Sequence, residues 1–165
     1  MAEFNLTIEG FWRSYLVYVV LFPAYLLIVL TPVRLEAVSV ETLVVGKLLS
    51  YAARIAISTV LLAALCHLLR VGDRFVALII ASNWGFVLQV ALLVPIALLV
   101  SRGLVSGKFV NMLQTSTLLA VLFYAWFVTR VALCIGGLAA IGMIVADELS
   151  SELVGTLIDR LFGIP

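Results

Sequence analysis

Apolar residues run through this chain in long blocks, each broken by a short cluster of polar ones. A helix needs about 20 predominantly apolar residues to cross a hydrocarbon core of about 30 Å. Four blocks meet that length, at about residues 14–33, 48–69, 75–100 and 109–134. The links between them are short. Arg70-Val71-Gly72-Asp73-Arg74 and the run SRGLVSGK over 101–108 have the length that joins neighbouring antiparallel helices, so the second and third blocks are expected to lie side by side. Pro23 and Pro95 fall inside the first and third blocks, where a membrane helix tolerates proline as a kink.

Two stretches depart from this pattern. Residues 34–47 carry Glu36, Ser39, Glu41 and Lys47 among valines and leucines; too short and too charged to span, they predict an interfacial amphipathic link. The last block, about 138–160, opens after the turn signal Ile135-Gly136-Gly137 and then buries Asp147, Glu148 and Glu152 inside a helical pattern. Either it crosses the membrane with its acids turned toward protein, or it lies along the surface. The apolar stripe resumes at Leu153, Val154, Leu157, Ile158, Leu161 and Phe162, which favours crossing. The expectation is a single all-α domain over 1–165, a polytopic bundle of five spans; the alternative is four spans plus an interfacial C-terminal helix.

Composition moves this picture into a membrane. The chain is 65% hydrophobic and 12% charged, against about half and a quarter in soluble domains. Ten basic and nine acidic residues are scattered singly to a net charge of +1, which leaves no basic surface for nucleic acid and no polybasic lipid patch. Glu3 and Glu9 precede the first arginine, unlike the basic start of a removed signal peptide, so the first block is expected to be a retained span. Arg13, Arg70 and Arg74 border one membrane face and Arg34, Lys47, Arg102 and Lys108 the other, too even a split to orient the chain. An integral membrane location is expected.

Ionisable residues inside a span are expensive and read first as functional. Arg54 lies about 9 Å below the face where the second span begins, and on a fifth span ending at that face Glu152 and Glu148 lie at similar depth. Arg54 is therefore expected to pair with Glu148 or Glu152, which share a helix face, as a fixed interhelical ion pair; a proton or ion relay is the sharper alternative. His67, Asn83 and Arg130 are expected toward the opposite face, His67 as an interfacial hydrogen-bonder and Arg130 snorkelling to the headgroups.

In the stretch ALIIASNWGFVLQVALLVP, Asn83 and Gln89 supply amides and Gly85 allows close helix approach. Helix packing is the first reading and a polar lining for a small permeant the second. Trp12 and Trp84 are the expected interfacial anchors. One histidine cannot assemble a metal site, and no nucleophile elbow, zinc-protease or phosphate-loop motif occurs. Cys66 and Cys134 lack ligand spacing. No enzyme activity, metal or cofactor is expected.

The segments HLLRVGDRFVALIIASNWGFVLQVALLVP and YAWFVTRVALCIGGLAAIGMIVADELSSEL resemble small bacterial integral membrane proteins that look like the bacterial branch of the Yip (Ypt-interacting protein) superfamily. A basic link leads into a span bearing Asn83-Trp84, and an aromatic span turns into a final helix bearing Asp147. The resemblance covers roughly residues 48–153. It implies five helices and a non-enzymatic role in organising membranes and binding partner proteins. Neither the long amino-terminal region of the eukaryotic relatives nor the signature motif of their early spans is matched, so small-GTPase binding is not implied. The expected function is a scaffold or accessory subunit packing with lipid and with other membrane proteins or copies of itself. The alternative is a small oligomeric transporter or channel component using Arg54, Glu148 and Glu152.

Overall fold

Side-chain caps mark two helix starts, and a left-handed residue marks one helix end. Thr7 Oγ1 accepts the Gly10 N–H at 3.2 Å and Ser39 Oγ accepts the Thr42 N–H at 3.2 Å, each satisfying an otherwise orphaned first-turn donor. Cys134 adopts the left-handed conformation, φ 52°, that closes a helix C-terminus. The computed structural model describes residues 7–30, 39–103 and 107–164. The described residues form five helices: α1 (Ile8–Leu30), α2 (Val40–Leu68), α3 (Phe75–Ser101), α4 (Lys108–Leu133) and α5 (Gly137–Leu161), with a 3-10 turn at Gly72–Arg74 before α3. Among the described residues there is no strand.

α1 to α4 are long and apolar enough to cross a membrane. α5, at 25 residues, has the length, but its acids hold it below that apolar standard. α1 and α3 continue through Pro23 and Pro95.

Two expectations need correction. Residues 34–38 of the expected interfacial link lie outside the described residues, but 40–47 are no separate link: they are the first two turns of α2. The charge that argued against a span there is satisfied from a distance. Lys47 is buried against Asp159 of α5, and Phe162 and Ile164 pack over Gly46. The second correction concerns α2 and α3. Their tight link joins them end to end, yet they meet only near that turn; α3 packs chiefly on α1 and α4, and α2 on α5. A short link fixes where two helices start and stop, not which faces they share.

Neighbours in space run α1–α3–α4–α5–α2. The circuit closes between α2 and α1 through side chains: Tyr15 and Thr59 hydroxyls bond at 2.8 Å, and Tyr51 donates to the Tyr18 carbonyl at 3.0 Å. One end of this ring is plugged. Leu62, Cys66, Leu78, Ile79, Leu133 and Met143 form a buried cluster, with Phe11 and Tyr15 packed against it. The starts of α1, α3 and α5 and the ends of α2 and α4 therefore meet there, in an up-down-up-down-up bundle.

Candidate functional site

The α2–α5 interface carries the charges. Residues 47, 54 and 58 of α2 lie on one helix face, as do 147, 151 and 155 of α5, because spacings of three, four and seven recur on the same side. Running antiparallel, the two faces match as a ladder. Lys47 Nζ donates to both Asp159 oxygens at 2.9 Å, Arg54 Nη1 donates to Glu152 Oε1 at 3.1 Å, and Ser58 faces Asp147. The expected partner of Arg54 is thus found at Glu152 and not at Glu148. A Cβ on Gly155 would overlap the Arg54 guanidinium, so only glycine lets that cation lie flat against α5.

Lys47–Asp159 went unread in the sequence. Its signal was present, since 47 precedes 54 by two turns and 159 follows 152 by two turns, which continues the same antiparallel register.

Inside the ring, above the plug, lies a cavity of about 260 Å³ with residues from all five helices on its wall. Its polar lining includes Tyr51, Arg54, Ser58, Gln89, Asp147 and Glu148. Aromatic rings frame it: Tyr25 and Tyr51 are 4.5 Å apart between centroids, and Tyr18 and Phe86 5.1 Å. Two polar atoms of the wall, Arg54 Nε and Asp147 Oδ1, are buried without a hydrogen-bond partner among the described residues.

No family model matches the chain, and no curated protein or solved structure does either.

The remaining expected residues separate. Asn83 is buried between α1 and α3: its Oδ1 accepts from Tyr18 Oη at 2.9 Å, and its Nδ2 donates to Ser14 Oγ at 2.8 Å, which in turn donates to the Phe11 carbonyl at 2.7 Å. A Cβ on Gly85 would stand 2.7 Å from Tyr124 Cε1, so this glycine admits α4. Asn83 and Gly85 knit helices, and both line the cavity together with Gln89.

His67 and Arg130 do not join Asn83. His67 is exposed in the last turn of α2, and Arg130 is exposed with its guanidinium 5.4 Å from the Trp126 ring centre, a cation–π distance. Trp12 is exposed in the second turn of α1, as an interfacial anchor requires. Trp84 is also exposed but lies nine residues into α3, ~14 Å along its axis. That position is away from either end of α3. Among the described residues no three His, Cys, Asp or Glu side chains gather as a metal site would need.

Proposed function

We propose that the chain is a five-pass, non-enzymatic integral membrane protein of the bacterial cytoplasmic membrane, acting as a scaffold or accessory subunit that packs with lipid and with other membrane proteins or copies of itself. One observation carries the fifth pass. α5 presents Leu138, Ile141, Val145, Leu149, Leu153, Leu157 and Leu161 outward, all exposed, while Asp147 and Asp159 turn toward α2. An apolar stripe of that length facing water is rare on a soluble surface; facing lipid it is ordinary. Because α5 runs antiparallel along α2 from Met143 to Asp159, a membrane crossed by α2 is crossed by α5 as well. The five-helix architecture implied by the Yip resemblance is the same, and the non-enzymatic role rests on the single histidine and the lack of catalytic motifs in the sequence.

Labelling tests the pass number. With Cys134→Ser as background, which leaves buried Cys66 as the remaining native thiol, cysteines introduced one at a time as Glu9→Cys and Arg160→Cys are exposed to an impermeant maleimide in sealed vesicles of defined orientation. Reaction from opposite sides is expected, and reaction from the same side leaves the four-pass arrangement. The cavity favours a second reading, a small transporter or channel component. Solute flux into liposomes that Glu148→Gln abolishes would put that reading first.

A further inference from the structure

Acids inside a membrane span are costly, and they pair with a cation or face a cavity. On α5 Asp159 is matched by Lys47 and Glu152 by Arg54. Asp147 and Glu148 make no ion pair among the described residues, and both line the cavity. Among the described residues the one cation on the cavity wall is Arg54, whose hydrogen bond goes to Glu152. Three carboxylates thus stand against one guanidinium, and the surplus charge faces the cavity.

Aromatic rings supply much of the remaining wall. Tyr18, Tyr25, Phe86 and Tyr124 line the cavity and are each part-exposed. Tyr18 Oη already donates to Asn83 at 2.9 Å, so what Tyr18 offers the cavity is its ring. Arg54 is an electrostatic neighbour of both Tyr25 and Glu148, which brings rings and surplus acid into one region. We propose that the cavity binds a small organic ammonium ion, with the Glu148 carboxylate as its counter-ion and the rings of Tyr25 and Tyr124 as its walls.

Each property of this ligand answers a feature of the site. Glu148 is exposed, so its carboxylate is open to an incoming group. Ring faces attract ammonium groups, and aromatic cages recognise quaternary ones. Asp147, whose Oδ1 is buried, adds to the attraction without touching the ligand, since a cleft lined by one sign of charge concentrates the other. The volume of about 260 Å³ falls below the roughly 300 to 1,000 Å³ of pockets for drug-sized ligands, which keeps the ligand small.

Other occupants explain less. A hard inorganic cation needs several converging oxygen ligands, and among the described residues no three His, Cys, Asp or Glu side chains gather to hold one. An anion meets two carboxylates. Protons on the acids, with water filling the cavity, give the rings no role and are the outcome against which the ammonium ion is tested.

The inference goes beyond the subunit reading and does not depend on it, because binding is read on the isolated chain whether or not a partner exists. The experiment is calorimetric titration of the full chain in maltoside micelles, which carry no ammonium group, with tetramethylammonium, choline and methylammonium. Sodium and the uncharged isostere of choline, with carbon in place of nitrogen, are the comparisons. Saturable binding of at least one ammonium ion is expected, about 10-fold or more tighter than either comparison. Phosphatidylcholine nanodiscs then distinguish the sources of the group. Weaker binding of added choline there identifies a lipid headgroup as the occupant, and equal binding a free ammonium ion.

Glu148→Gln keeps the size of the side chain and removes its charge; it is expected to weaken binding about 10-fold or more. Tyr25→Leu removes a ring face and is expected to weaken binding about 3-fold or more, whereas Tyr25→Phe keeps the face and the affinity. The unmutated chain with the ligand panel decides the matter even if a variant fails to fold. No saturation by any ammonium ion to roughly 10 mM means that protons and water satisfy the acids, and overturns the proposal. Sodium or the isostere binding as tightly as the ammonium ions, or affinity unchanged in Glu148→Gln or in Tyr25→Leu, overturns it too.

Discussion

Lys47 grips both oxygens of Asp159 with only 8% of its side chain exposed. A buried pair of this kind repays its desolvation through good geometry, and losing one partner leaves an unmatched charge inside. Lys47→Met is therefore expected to lower stability by about 3 kcal/mol, and the double change Lys47→Met with Asp159→Leu to lower it by less. Unfolding in mixed micelles by denaturing detergent measures both; additive losses would show that the two groups do not act as a pair. Gly155→Ala displaces the Arg54 guanidinium, the movable end of a long side chain, from its seat on α5; with the helix-propensity gain of alanine set against the lost contact, stability is expected to change by less than about 1 kcal/mol, read by the same titration. Asn83→Ala removes two interhelical bonds worth about 0.6 to 1.7 kcal/mol each. That loss should fall on the α1–α3 contact, so crosslinking yield between cysteines on those two helices should drop with it.

Helices were legible to the extent that their causes are local. Apolar run length found α1, α3, α4 and α5 to within a turn or so at most ends, and the Gly136-Gly137 signal placed the last turn, where Cys134 takes the left-handed position and Trp126 Nε1 fastens the loop by donating to the Gly137 carbonyl at 3.2 Å. The beginning of α2 was not legible. Glu41 and Lys47 look like an interfacial link until Asp159, 112 positions away, is brought alongside. Depth along a helix pointed Arg54 to the α5 acids, but choosing Glu152 over Glu148 needs the rotation of α5, which no local pattern supplies. That rotation also sets the leucine face outward. Leu149→Lys on that face is expected to disfavour insertion by about 2.5 to 3.5 kcal/mol, measurable as the uninserted fraction in glycosylation mapping; an interfacial α5 would let the lysine snorkel and show little change.

At the scale of the molecule, five helices form a ring rather than a solid bundle, and the sequence could not show this. Asn83, Gln89, Arg54 and the α5 acids read individually as contacts between helices. Some are, like Asn83; others, like Gln89 and Glu148, become the wall of one cavity only when all five helices are assembled. The apolar cluster beneath that cavity makes it a cup with a stoppered base, not a tube. Cys66 sits in the stopper with 0% of its surface exposed, while Cys134 is exposed at the neighbouring turn. The protein thus carries its own sensor and its own control. In resting vesicles a water-borne thiol reagent is expected to modify Cys134 and spare Cys66. Any cycle that carried cargo from one side of the membrane to the other would have to unseat the stopper, and Cys66 would then register each opening as a chemical scar.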